Sequence, residues 1–317
     1  MKSKGFICLW FLFLVAVSCS KKGFEADGFP VEFDARDYSA EVRAESSASD
    51  FATGDSFGVM AYYIPSGATW SDYSKDAVPD FMYNQMVSYD GLAWSYSPTM
   101  YWPQIDGARV NFYAYYPYSD GVSETGVKVS SSEEMGMPSF EFVLDETAGV
   151  DLMVAKAEGC TSSTGSVYLP FRHLLGKVQF KFAVSAKGGF SYVVNKIKVL
   201  STPKSAEYDW GTDHFSVLSN APIEASAGPG TEGYLIDTME SVLIKDFTMF
   251  LMPGKLGGVQ VSLNNEEDSV TLDLSQVYVE SGKVLTVSVI ICLSNVDFEA
   301  ELTDWKDGGT ADKETIK

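Results

Sequence analysis

Cys19 stands where a reactive side chain could matter most in this 317-residue chain. Before it, Lys2 and Lys4 lead into an apolar run from Phe6 to Val17, closed by the small Ser18. A basic start, an apolar stretch too short to span a bilayer comfortably and a small residue at the cut point predict a secretory signal over residues 1–18. Elsewhere the residues of catalysis are scarce. His173 and His214 form no His-Glu-x-x-His pair, and Cys160 and Cys292 form no Cys-x-x-Cys, so a zinc site has no support. No Gly-x-Ser-x-Gly elbow occurs, and Gly254-Lys255 lacks the glycine loop and the following Ser or Thr of a phosphate-binding loop. The run Glu266-Glu267-Asp268 after Asn264-Asn265 reads as a solvated hairpin turn, because its spacing misses the known calcium loops. His173, between Phe171-Arg172 and Leu174-Leu175, reads as a structural, hydrogen-bonded histidine. The expectation is a protein without metal, cofactor or catalytic activity.

Ala16-Val17-Ser18-Cys19 resembles the lipobox of bacterial lipoproteins. That resemblance implies a cut between Ser18 and Cys19, acyl chains such as palmitate on Cys19, and an exported chain held at a membrane. Residues 19–28 then read as a tether. The formal charge of the whole chain is −20, and Lys2 and Lys4 leave with the signal. So acidic a body is repelled by phosphate backbones and anionic lipid headgroups, which excludes nucleic acid as a natural partner.

The elements that must position any site are strands. There are 17 Tyr and 20 Phe among abundant Val, Thr, Ser and Gly, and helix signals are few. Period-two alternation begins at 29–36, with Val31, Phe33 and Ala35 on one face. Further strands are expected at 56–64, 81–89, 109–116, 152–155, 177–184, 192–200, 284–293 and 298–305, among others, separated by Gly, Pro, Asp and Ser. Helix-like stretches are expected only near 173–176 and 274–278. Cys160 reads as loop and Cys292 as strand, and the two as unpaired thiols. So many short strands predict an all-β protein of two β-sandwich domains, 29–162 and 163–317, divided at the polar stretch Thr161–Ser166.

Six phrases in order carry a family resemblance. They are Gly54-Asp-Ser-Phe-Gly-Val59, Phe81-Met-Tyr-Asn-Gln85, Trp94-Ser-Tyr96 with Tyr101-Trp-Pro103, Val110-Asn-Phe-Tyr-Ala-Tyr-Tyr-Pro117, Asp151-Leu-Met-Val-Ala155 and Phe171-Arg-His-Leu-Leu-Gly-Lys-Val178. In this order, over roughly residues 30–305, the chain resembles the fimbrillin family of Bacteroidales lipoproteins, the subunits of type V pili. By themselves these residues read as core and turn: aromatics that bury large area, and prolines that stop strands.

The resemblance implies two stacked β-sandwiches, the first transthyretin-like. It also implies a lipidated precursor at the outer membrane, cut by an arginine-specific protease after its first strand and joined to other pilus subunits by strand exchange. A host or bacterial surface ligand is implied as well. Of the four arginines, Arg36 and Arg43 precede the Gly54 turn. Arg43-Ala44 lies in a polar, small-residue stretch open to nicking, while Arg36 lies nearer the first strand. The residues after Trp305 read as too polar for a donor strand, which tilts the expectation towards a tip or accessory subunit. The rival reading is a surface glycan-binding lipoprotein, with Trp70, Tyr73 and Trp210 as exposed platforms.

Overall fold

The computed structural model describes residues 28–37, 51–121, 125–145, 149–185, 191–228, 232–264, 268–292, 296–304 and 314–316. Among these the protein is all-β, as the sequence predicts, with twenty strands in three sheets, numbered here in chain order. The first sheet holds β1 (Phe33–Asp37), β2 (Ser56–Ile64), β3 (Met82–Tyr89), β4 (Trp94–Ser95), β5 (Arg109–Tyr116), β8 (Met153–Cys160) and β9 (Val167–His173). Their spatial order is β1-β9-β8-β5-β2-β3-β4. The second sheet holds β10 (Gly176–Val184), β14 (Val242–Leu243), β15 (Met249–Leu251), β18 (Lys283–Ile291), β19 (Val296–Asp304) and β20 (Glu314–Ile316). The third holds β6 (Val127–Val129), β7 (Ser139–Val143), β11 (Tyr192–Asp209), β12 (His214–Ser226), β13 (Tyr234–Ile236), β16 (Gly254–Leu263) and β17 (Asp268–Val279).

The first sheet lies between two apolar cores, and its central strands show why. On β2, Phe57, Val59 and Ala61 face one core while Met60 and Tyr62 face the other. On β5, Val110, Phe112 and Ala114 oppose Tyr113 and Tyr115 in the same way. Successive strand side chains point to opposite faces, so a strand buried on both reads as a nearly continuous apolar run. The first core is lined by Val31, Phe57, Trp102, Phe112, Leu169 and Phe171, among others. The second runs from the far face of this sheet through the second and third sheets, and takes in Phe140, Phe180, Trp210 and Val287.

Strands on either side of residue 163 are neighbours. β8 pairs antiparallel with β9 in the first sheet, and β7 pairs with β11 from Ser139↔Asp209 to Val143↔Ser205.

Some elements differ from the sequence reading. The stretch 274–278, expected as helix-like, belongs to β17. Leu272 and Leu274 are buried, and so are Val277 and Val279, because the ladder shifts between Gly257↔Leu274 and Lys255↔Tyr278. A bulge between two period-two pairs imitates helical spacing. Residues 173–176 are likewise not helical: they join β9 to β10. Among the described residues the α-helix is α1 (Trp70–Tyr73), followed at once by a 3-10 turn at Ser74–Asp76, with a second such turn at Lys245–Phe247. β11 runs on through Pro203 to Asp209, taking irregularities at Val199–Thr202 and Pro203–Ser205. Gly54, at φ 98°, makes the turn expected before β2.

Candidate functional site

The site is built around the first strand. The segment 30–37 alternates. Val31, Phe33, Ala35 and Asp37 are buried, while Glu32 and Arg36 are exposed. Period two alone places Val31, Phe33 and Ala35 on one face; the structure adds Asp37 as a fourth inward position.

Hydrogen bonds hold this segment on two sides. At its start, Val31 N–H donates to the Met100 carbonyl (2.9 Å), Trp102 N–H donates to the Phe29 carbonyl (3.0 Å), and Tyr96 Oη donates to the Val31 carbonyl (2.8 Å). Further on, β1 runs parallel to β9, from Phe33↔Val167 to Asp37↔Phe171. Val167 N–H donates to the Glu32 carbonyl at 2.7 Å. The other neighbouring pairs in this sheet are antiparallel.

The seat under β1 is aromatic. The Phe33 ring meets Phe57, Tyr96 and Phe112 edge-on, at centroid distances of 6.0, 5.5 and 5.7 Å. Such edge-to-face contacts add about 0.5–1.5 kcal/mol each beyond the area buried. Burying Val31 and Phe33 contributes roughly 1.5–3 kcal/mol apiece.

At the end of β1 the groove becomes ionic. His173, 8% exposed at the end of β9, lies between two carboxylates. Its Nε2 is 3.2 Å from Asp37 Oδ2 on β1, and its Nδ1 is 2.9 Å from Asp151 Oδ2, just ahead of β8. Burial alone pushes the imidazole pKa down. The hydrogen bonds and charges of Asp151 and Asp37 outweigh it and raise the pKa to about 9. His173 is therefore a cation at neutral pH. The sequence reading of a structural, hydrogen-bonded histidine holds, but its partner on β1 had no signal beyond the continued alternation to residue 37.

Of the residues singled out for processing, Ser18, Cys19, Arg43 and Ala44 lie outside the described residues. Arg36 lies on β1, paired with Pro170, and its Nε and Nη2 donate to Asp34 at 3.1 and 3.0 Å. The Arg36–Asp34 pair is exposed on both sides, a kind that contributes little to stability.

Cys160 and Cys292 are unpaired thiols. Cys160 is the buried last residue of β8, not loop, and burial pushes its thiol pKa up to about 11. Cys292 follows the last residue of β18. Among the described residues no group of three or more His, Cys, Asp or Glu could hold a metal ion.

The aromatic platforms are placed otherwise than expected. Trp210 is 3% exposed and packs against Phe140, Tyr208 and Tyr113, with centroids at 5.2, 5.4 and 6.2 Å. Its neighbours Gly211–Asp213 form the β11–β12 turn, so the backbone is at the surface while the indole folds inward. Trp70 and Tyr73 are half-buried on α1, with Trp70 5.3 Å from the Tyr62 ring. Trp210 borders a cleft of about 240 Å³ with Tyr208, Arg172 and Asp213. There Arg172 and Asp213 form an ion pair, and Tyr208 Oη donates to the same carboxylate. As an exposed sugar platform, Trp210 is ruled out by its burial.

Comparison with known proteins places this architecture. The chain is similar to fimbrium subunit Fim1C of Phocaeicola vulgatus, 26% identical over 147 residues, a match spanning 42% of this chain and 38% of that relative's length. In fold it is similar to a fimbrial protein from Bacteroides vulgatus, with a TM-score of 0.65 at 17% identity, covering 87% of this chain and 99% of that one. It is also similar to a candidate cell adhesion protein from Bacteroides uniformis, with a TM-score of 0.55 at 18% identity and the same coverage. A family model described as Fimbrillin-like matches residues 43–305, most of the chain, and the chain belongs to that Fimbrillin-like family.

Proposed function

We propose that this chain is a structural and adhesive fimbrial subunit at the cell surface, and that its first strand is a temporary occupant of its own groove. Cys19 is acylated and holds the exported precursor at the outer membrane. An arginine-specific protease cuts between Arg43 and Ala44, β1 leaves, and a strand from another pilus subunit takes its place. Main-chain hydrogen bonds to β9 supply affinity, and alternate side chains set the register. Family membership and the likeness to a fimbrium subunit support this reading.

The observation that carries it is the seat of β1. The segment 31–37, which ends in the short edge strand β1, precedes the candidate cut, inserts Val31, Phe33 and Ala35 into the first core, buries Asp37 beside it, and contributes nothing to the second. Its release opens one apolar groove and leaves the other core whole. Arg36 is the poorer protease site, because its backbone lies in the β1–β9 ladder. A tip or accessory position remains the preferred place in the pilus.

The test is the intact mass and the boiled-versus-unboiled gel mobility of the signal-free precursor, before and after an arginine-specific protease. One cut after Arg43 followed by slow-migrating ladders or partner uptake supports the reading. A ladder of this chain alone places it in the stalk, and uptake of one partner places it at the tip. Resistance at both Arg36 and Arg43 contradicts it.

A further inference from the structure

We infer that the groove selects its incoming strand by charge: the residue that replaces Asp37 must carry a carboxylate, read by His173. The inference rests on the strand-exchange reading above and says which strands the groove accepts.

Three of the four inward positions of the segment ending in β1 are apolar, as any sheet edge on a core would require. The fourth is not. His173 is buried between Asp37 and Asp151, and only one of these belongs to the part that leaves. Asp151 stays with the body, next to β8, and remains on Nδ1. Tyr116, on β5, donates its hydroxyl to Asp55, not to this histidine. Arg172, the preceding residue on β9, turns to the opposite face, where it meets Tyr208 and Asp213. Among the described residues, the carboxylates that meet His173 are Asp37 and Asp151.

When β1 leaves, Nε2–H loses its carboxylate at the floor of a groove about to be covered again. An apolar side chain placed there would bury the imidazolium with one of its two carboxylate counter-charges removed, a costly arrangement. A carboxylate would restore the ion pair. The groove thus asks for aliphatic, aromatic, small and acidic residues at successive inward positions, in the order Val31, Phe33, Ala35, Asp37.

This chain contains its own contrast. On β19, Val296, Phe298 and Ala300 repeat the first three of these residues at the same spacing, and the fourth position is Leu302. By apolar fit alone, β19 of a second copy would suit the groove. By charge it would not. The partner is accordingly a strand of a different subunit with an Asp or Glu at the fourth place.

The experiment uses the full chain with a site-specific protease sequence placed between residues 38 and 50, so that β1 is severed whether or not Arg43 is cut. The cleaved protein is challenged with fluorescent peptides of residues 28–37, native and D37L, and of residues 296–304, native and L302D. The expected result is that each acidic peptide displaces β1 at a concentration at least about tenfold lower than its leucine counterpart, as for loss of one member of a buried charge pair. In a His173→Leu protein the difference should vanish; if that variant does not fold, the four peptides on the native body still decide. Equal uptake of acidic and leucine peptides would overturn charge selection and leave strand exchange standing. Uptake of no peptide would overturn both.

Discussion

His173 makes the strongest single-residue statement, because its ionisation is tied to β1. Its pKa is raised from 6.5 to about 9 in the folded chain. A raised histidine contributes stability that is fully present below about pH 6.5 and is lost as pH climbs through about 9. The precursor should therefore lose on the order of 3 kcal/mol from this cluster between those values, by the conversion of pKa shift to energy. Urea midpoints of the native chain and of His173→Gln, measured at pH 6 and pH 9.5, check this: the gap between them should be wide at pH 6 and narrow at pH 9.5. Phe33→Ala should destabilise the precursor by about 3–5 kcal/mol, as for a deleted core phenylalanine. The same substitution should have no effect on a chain whose β1 has already been replaced, and comparing the two midpoints separates the cases. Gly58 is constrained by neighbours. A Cβ there would lie 2.3 Å from Cε1 of Tyr115, whose hydroxyl donates to Asn84 Oδ1 at 2.6 Å, with the Ser119 carbonyl also within 3.0 Å. That ring is anchored, so Gly58→Val should cost about 1–3 kcal/mol or more by overpacking, visible as a lowered urea midpoint.

At the scale of elements, what sequence reveals depends on how local the constraint is. The alternation of β1 is local, and period two by itself assigns Val31, Phe33 and Ala35 to one face. The doubly buried β2 and β5 are legible as strands because both faces are apolar. Asp37 is not legible as a groove residue, since an acidic side chain at a strand end normally reads as solvated, and its partner His173 lies far along the chain. Trp210 misleads for a related reason: a turn-rich backbone says where the chain is, not where the indole points. The bulge in β17 misleads because two buried pairs offset by extra residues resemble a helical stripe. For β1 the consequence is energetic. Hydrogen bonds to β9 and to residues 100–102, with the burial of Val31 and Phe33, hold it in the intact chain. Once the connection to residue 51 onward is cut, non-covalent contacts, the Asp37–His173 ion pair among them, hold it to the body, and a competing strand can make the same ones. Native peptide 28–37 added in excess to cleaved protein should exchange with β1, and mass spectrometry of the complex would show it; no exchange would mean that the strand is locked.

At the scale of the molecule, the arrangement of two cores decides whether losing a strand is tolerable. No described residue before Met60 belongs to the larger core, which spans the far face of the first sheet and the other two sheets. Removing β1 should therefore leave most of the β-structure in place, with far-ultraviolet circular dichroism nearly unchanged, while exposing apolar surface on one side. The formal charge of −20 then keeps bodies with an open groove from adhering to one another without a specific strand. The most direct test of the central claim, that β1 is a replaceable strand, is hydrogen exchange of β9 before cleavage, after removal of β1 and after addition of a partner strand. The Val167 amide, which donates to the Glu32 carbonyl, and the other β9 amides that face β1 should be protected in the precursor, lose protection when β1 is gone and regain it when the groove is refilled. Protection unchanged through all three states would contradict the account.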